Sequence, residues 1–307
     1  MPGREYVIQE SETKCLDITD PLYPGLLKEI RDPPKCLFYK GEWKGDLFEK
    51  CLAVVGSRKI SDYGVRVTEH ILGVLGQMRV TVVSGFMRGV DYYAHLSALN
   101  SNLPTIAVLP CGIEDIYPVS HRDIASKILD AGGLVVSEYP GRCAPKDWMF
   151  VKRNRIVAGL SHGLLLIEAA ENSGSLITFN YAKRFKRVLM AVPGDIFNVN
   201  QQGVRQALYD GAEPVFSGED VVNKMRLVVD SKDSLSGAKN GIAWSKAQLV
   251  NEDGDLGKVV IKLKETALSL ETLSQLTDIE ISKLTIIVTR LEISGQVRRT
   301  GGKYYAS

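Results

Sequence analysis

Between Cys51 and Val192 the chain repeats one pattern: a short unbroken apolar run, a turn, then a segment of helical length. The runs fall at 52–55, 80–83, 105–109, 134–136, 164–167 and 188–192, with intervening segments such as 63–77 and 91–100. A strand with one wet face alternates apolar and polar residues, so an unbroken run marks a strand buried on both faces. Strands of this kind alternating with helices join through right-handed crossovers into a parallel sheet. Residues 49–225 are therefore expected to form a Rossmann-like, doubly wound, mostly parallel α/β sheet.

The turns after these runs carry small residues: Gly56-Ser57-Arg58, Ser84-Gly85, Cys111-Gly112, Ser137-Glu138 and Pro193-Gly194. Open α/β sheets bind ligands outside the carboxyl ends of their strands. The turns are thus expected to line one shared crevice.

The flanks differ. Residues 1–48 are polar and punctuated by proline (Asp20-Pro21, Tyr23-Pro24, Asp32-Pro33-Pro34). They hold too little apolar surface for a core of their own and should lie against the main domain. Residues 226–256 are rich in Ser, Lys, Gly and Asp without periodicity and read as a linker. In 257–307, Leu270, Leu273, Leu276 and Ile279 give one helical stripe, and Leu284, Ile287, Val288 and Leu291 give another. The stretch from Ser294 to Tyr305, with Gly301-Gly302 inside it, then reads as a hairpin, and the order predicts a small C-terminal winged helix.

Composition narrows the function classes. Apolar runs such as 103–109 are far too short to span a bilayer, so no membrane partner is expected. The first residues lack the apolar core of a signal peptide, and a cytoplasmic location follows as the expectation. Five cysteines (Cys15, Cys36, Cys51, Cys111, Cys143) include no CxxC pair, which predicts reduced thiols. Four scattered histidines suggest no metal site. Gly56-Ser57-Arg58 matches neither GxGxxG nor GxxxxGK[ST], so neither a dinucleotide cofactor nor P-loop chemistry is expected.

Net charge is only +2, but the basic residues are clustered. Lys152, Arg153 and Arg155 surround Asn154, with Phe150 ahead of them and Lys146 further upstream. Three cations within four residues are hard to bury, so this cluster is expected to face solvent or a multiply charged ligand. Lys183-Arg184-Phe185-Lys186-Arg187 is a second basic run, and such runs often mark only a solvated helix face.

Three motifs suit an anion. Gly56, Ser57 and Arg58 offer backbone N–H groups, a hydroxyl and a charge, although a strand-to-helix turn needs the glycine in any case. Ser84-Gly-Phe-Met-Arg-Gly-Val-Asp91 places Arg88 on a short loop between Gly85 and Gly89, with Asp91 able to cap the next helix. His95 follows four residues later, but Asp-x-x-x-His is at least as well explained by packing. Ser173-Gly174-Ser175-Leu-Ile-Thr178 places hydroxyls at a helix start, where simple capping is the competing reading.

These motifs, in order with Tyr117-Pro118, Ser137-Glu138, Phe150-x-x-Arg-Asn-Arg-Ile156, Glu168-Ala169 and Pro193-Gly194, resemble the DprA/Smf family of DNA-processing proteins of natural transformation. The resemblance spans roughly residues 20–225, and the C-terminal tail fits a small domain many members carry. It implies sequence-independent binding of single-stranded DNA, its protection, and loading of the RecA recombinase. It further implies a homodimer formed through the Rossmann domain. By the same resemblance the DNA contacts fall on Ser57, Arg58, Arg88, Lys146, Phe150, Arg153 and Arg155. Three departures stand out. The N-terminal helical domain of many members is missing or truncated, Phe86-Met87 replaces the usual Leu-Ala, and Gly203-Val-Arg205 replaces Gly-x-Asn.

The alternative is an enzyme similar to the Lonely Guy phosphoribohydrolases. Their Pro-Gly-Gly-x-Gly-Thr turn is followed by acids, whereas Thr178 here is followed by Phe179-Asn180, leaving only Glu168 and Glu171 for acid–base roles. Binding without catalysis is the expectation. Arg298, Arg299 and Lys303 of the wing suit auxiliary DNA contact or a protein partner better than sequence-specific reading.

Overall fold

The computed structural model describes residues 13–227, 254–293, 296–300 and 302–306. The chain divides into two compact units, 1–232 and 233–307. The linker expected at 226–256 falls almost wholly outside the described residues.

The first unit is built on one sheet. Its strands are β1 (Lys14–Asp17), β2 (Cys36–Lys40), β3 (Cys51–Val55), β4 (Thr81–Ser84), β5 (Thr105–Gly112), β6 (Leu134–Tyr139), β7 (Gly163–Leu166), β8 (Val188–Ala191) and β9 (Glu213–Pro214). They lie in the order β1-β2-β6-β5-β4-β3-β7-β8-β9. From β3 to β9 every neighbouring pair is parallel. The six expected strands are thus present, and the sheet is doubly wound. The chain steps outward from β3 to β6, then returns to the other side of β3 with β7. The β3–β7 boundary is the switch point where such sheets open a crevice.

Among the described residues, eight α-helices accompany the sheet: α1 (Gly25–Lys28), α2 (Asp62–Leu75), α3 (Val90–Asn100), α4 (Arg122–Asp130), α5 (Asp147–Leu160), α6 (Gly174–Arg184), α7 (Gln202–Tyr209) and α8 (Gly218–Met225). The alternating direction of side chains along each strand serves both layers. Leu52 and Val54 of β3 pack with Leu72 and Leu75 of α2, Ala94 of α3 and Val221 of α8. Ala53 and Val55 face the opposite layer, with Ile156 and Leu160 of α5, Phe179 of α6 and Val204 of α7. Each fully buried Leu, Ile or Phe of these layers contributes on the order of 1.5–3 kcal/mol of transfer free energy.

The N-terminal residues do more than lie against this domain. β2 pairs antiparallel with β6 and β1 pairs antiparallel with β2, so they extend the sheet by two edge strands. Leu27 of α1 is fully buried, packed so closely on Gly159 of α5 that a Cβ there would lie 2.7 Å from it. The hairpin also corrects the cysteine expectation. Antiparallel pairing brings Cys15 and Cys36, with Cα atoms 6.2 Å apart, together as a disulfide, while Cys51, Cys111 and Cys143 are free thiols. Residues 21 positions apart become neighbours only through strand pairing, which local spacing does not reveal.

The second unit has α9 (Gly254–Glu265), α10 (Leu270–Thr277) and α11 (Ile281–Ile293), followed by β10 (Val297–Thr300) and β11 (Lys303–Ala306) as an antiparallel hairpin. Leu263, Leu273, Leu284, Val288, Leu291 and Tyr304 form its core. Leu276, expected on the same stripe as Leu273, is exposed. Leu268 bridges to Tyr304 and ties the α9–α10 segment to the hairpin.

Candidate functional site

Loops from three strand ends interlock at the switch point. Ser57, after β3, donates its backbone N–H to the Glu168 carbonyl after β7 (2.7 Å) and accepts from the Val90 N–H after β4 (3.1 Å). A Cβ on Gly56 would lie 2.5 Å from Val90 Cγ2 and 2.7 Å from the Glu168 oxygen. Gly89 has φ +77°, and a Cβ there would strike the Ser57 carbonyl. Both glycines therefore meet a packing need, and Gly89 a conformational one.

This interlocking alters the expected anion seat. Ser57 is buried, and its Oγ accepts from the Lys59 N–H and donates to the Lys59 carbonyl, both at 3.1 Å. Its hydrogen-bonding groups are used within the turn and on the neighbouring loops. Ser84 is likewise buried, its Oγ donating to the Val54 carbonyl at 2.7 Å. What the turn presents outward is Arg58, exposed, with its guanidinium 5.4 Å from the centre of the Phe150 ring. Phe150 is half-buried and meets the exposed Tyr117 edge-on at 5.8 Å. Arg88 and Lys146 are exposed as well, on the loop after β4 and at the start of α5.

The basic cluster of α5 corrects the expectation that it faces outward. Arg153 is only 4% exposed. Its Nη1 donates to the carbonyls of Gly85 and Val108, and its Nε donates to Asn154 Oδ1 at 3.3 Å. Buried Asp91 is its charge partner, and Asp91 Oδ2 accepts from the Met87 N–H at 3.2 Å. Burial pulls the Arg153 pKa down to about 10, against the opposing pull of Asp91, and burial raises that of Asp91. A Cβ on Gly85 would lie 2.6 Å from both Arg153 Nη2 and Asp91 Oδ2, so this glycine leaves room for the pair.

Arg155 is also 4% exposed, with Nη2 2.5 Å from Glu138 Oε1 and Nε 3.3 Å from Asp32. Lys152 alone of the three keeps partial exposure, 3.3 Å from Glu138. Backbone carbonyls take up Arg153, and two carboxylates pair with Arg155, whose Nη1 is left without a hydrogen-bond partner.

At the start of α6, Ser173 caps the helix, its Oγ accepting from the Ser175 N–H at 3.4 Å and lying 2.8 Å from Ser175 Oγ. Asn154 Nδ2 donates to the Gly174 carbonyl at 3.4 Å, joining α5 to this turn. Gly174 is exposed and Ser175 half-buried, whereas Thr178 is buried one turn deeper. Asn200 had no signal of its own in the sequence, yet its Nδ2 donates to the Lys59 carbonyl at 2.8 Å and fastens the β3 turn to the chain after β8.

Of the two acid–base candidates, Glu168 is committed to the fold, while Glu171 is exposed in the turn before α6. Glu168 is fully buried and accepts from the N–H (2.9 Å) and Oγ of Ser61, the N-cap of α2. His95 is buried with Nδ1 2.8 Å from Thr105 Oγ1, and burial drives its pKa to about 3. Asp91 is not the cap of α3; Gly89 holds that position, and Asp91 sits in the first turn. The strand-end face thus combines outward cations with aromatic edges around a rigid, internally bonded floor.

The family model for DNA recombination-mediator protein A matches residues 14–226, covering all three interlocked loops. The chain belongs to the DprA/Smf family. Protein Smf of Synechocystis is 32% identical over 324 residues, covering 97% of this chain and 81% of that one. DNA processing protein A of Streptococcus pneumoniae superposes with a TM-score of 0.65 at 37% identity, covering 69% of this chain and 74% of that one. The Helicobacter pylori protein, solved to explain its single-stranded DNA binding mode, gives 0.63 at 27% identity, with coverage of 71% and 97%.

Two departures from the DprA/Smf pattern have structural accounts. Phe86 is fully buried, its ring 5.6 Å from that of His95 and 5.3 Å from that of His121, and Arg88 stays exposed beside it. Gly203 donates its N–H to the Ala169 carbonyl at 2.8 Å, while Arg205 is exposed.

Proposed function

We propose that this DprA/Smf protein binds single-stranded DNA without sequence preference along the strand-end face of its sheet. The observation that carries this reading is Arg58 over the half-buried Phe150 ring, flanked by exposed Arg88 and Lys146. Cations follow phosphates whatever the base, and an aromatic face accepts any base by stacking. In this reading Arg153, Arg155, Ser84, Gly85, Gly89 and Asn154 shape the surface, and Ser173, Gly174 and Ser175 border it. The protein acts in the cytoplasm, protects the strand and loads the RecA recombinase as a homodimer. Exposed Ile196, Phe197, Val199 and Phe216, near the β9 edge of the sheet, suit a subunit contact. The second unit, read as a winged helix, adds an auxiliary DNA or protein contact through Arg298 and Lys303; the side chain of Arg299 lies outside the described residues.

The function is binding rather than catalysis. The buried hydrogen bonds of Glu168 to Ser61 argue against a phosphoribohydrolase. Gel shifts with single- and double-stranded oligonucleotides, combined with light scattering, test this reading. Tighter binding of the single strand by a dimer is expected, whereas preference for duplex refutes it. Release of free base from a nucleoside monophosphate would restore the enzyme.

A further inference from the structure

We propose that the cavity between the α1–β2 segment, α5 and the C-terminal end of α6 is a nucleotide site distinct from the strand-end face. The cavity is about 820 Å³, within the range of small-molecule pockets. Five cations line it (Arg31, Arg155, Arg184, Lys186 and Arg187), against the carboxylates of Glu29 and Asp32. Three of these are the basic run after Tyr181 that the strand-end face leaves unused.

Four observations define what the cavity takes. Arg155 lines it, is 4% exposed, and has an Nη1 with no hydrogen-bond partner. Its charge is shared with Glu138 and Asp32, so it adds positive potential behind the cavity wall. Arg31, Arg184 and Lys186 are exposed and form no ion pair among the described residues, so their charge is available to phosphate. Tyr181 and Phe185 form a stacked pair in the wall, with ring centres 5.9 Å apart and planes at 24°, offering a surface to a base. Arg187 closes the floor, its Nη2 donating to the carbonyls of Leu26 (2.9 Å) and Gly159 (3.2 Å) with its guanidinium 5.9 Å from the Phe185 ring.

The backbone at Lys186 supports the same reading. α6 ends with the Arg187 N–H bonded to the Ala182 carbonyl (3.0 Å) and the Lys186 N–H bonded to that of Lys183 (3.1 Å), placing Lys186 at φ +55°. Helices usually place glycine at this left-handed position. A lysine here gives up backbone ease and sets a cation at the mouth of a basic, aromatic-lined cavity. The site lies one length of α6, about 16 Å, from Ser173.

Phosphate with an adjoining base is the shared chemistry of a free nucleotide and of one unit in a strand, and the test separates these sources. Binding of ADP, inorganic phosphate and oligo(dT) is measured by calorimetry on three full chains: unaltered, Lys186→Gly with Arg184→Ala, and Arg58→Ala with Arg88→Ala. Glycine suits the backbone at 186, so the first variant retains its fold. A free-nucleotide site predicts ADP binding that weakens about tenfold or more in the Lys186 variant and is unchanged in the Arg58 variant. A strand-unit site predicts no ADP binding but about a tenfold loss of oligo(dT) affinity in the Lys186 variant. Phosphate binding as tightly as ADP, or no effect of the Lys186 variant on either nucleotide ligand, overturns the proposal. The Arg58 variant keeps that failure distinct from failure of the strand-end reading.

Discussion

Arg153 on α5 and Arg58 in the turn after β3 carry the same guanidinium into different surroundings. Arg153 is buried beneath the β4 and β5 strand ends, with its donors spent on the Gly85 and Val108 carbonyls. Arg58 stands outside the same floor with the Phe150 ring beneath it. The first arginine assembles the loops that present the second. Density of positive charge in a sequence therefore does not locate a contact surface; the acceptors around each cation decide its role.

The sharpest way to break this contrast is to remove the buried member. Arg153→Ala leaves Asp91 buried without its partner and should cost about 3–5 kcal/mol in denaturant unfolding. A loss of DNA binding with unchanged stability would place Arg153 on the binding side instead. Next in size, Gly89→Ala adds a side chain at φ +77° against the Ser57 carbonyl. A loss of about 1–3 kcal/mol is expected, since both the backbone and the loop packing resist it.

On the outward side, Phe150→Ala should weaken oligo(dT) binding by about 1–3 kcal/mol, the usual worth of one stacked base. Binding unchanged in a folded variant would leave that ring as packing only.

A pH titration probes the floor again. The folded pKa of His95 is about 3, depressed from an ordinary 6.5. Between these values the unfolded chain binds a proton that the folded chain excludes. The stability supplied by neutral His95 is thus complete above about pH 6.5 and declines as pH falls toward 3, by at most about 1.4 kcal/mol per pH unit. His95→Gln should flatten that slope, and an unaltered slope would show that His95 does not carry it. The smallest stability effect belongs to Arg58→Ala with Arg88→Ala, which should stay within about 0.5 kcal/mol of the unaltered chain because both side chains are exposed.

The central strands were legible because β3 to β8 are apolar on both faces, a pattern that needs no partner to be recognised. β1, β2 and β9 were not, since edge strands are short and half-polar, and β9 is only Glu213-Pro214. Within the site, Gly56, Gly85 and Gly89 were readable as places of close approach. The fate of Arg153 was not, because its acceptors are backbone carbonyls, which any residue supplies. Glu138 was visible as part of a motif, but only the fold brings it 17 residues across to Arg155. Asn200 reaches the β3 turn from 141 residues away and leaves no local trace.

The salt dependence of oligo(dT) affinity, measured for the unaltered chain and for Arg58→Ala with Arg88→Ala, tests the central claim most directly. Each phosphate neutralised on a single strand contributes about 0.7 to the slope of log affinity against log salt. Removing both cations should flatten that slope by about 1.4, with folding unchanged. An equal slope and affinity in the folded double variant would show that the strand-end cations do not hold the DNA.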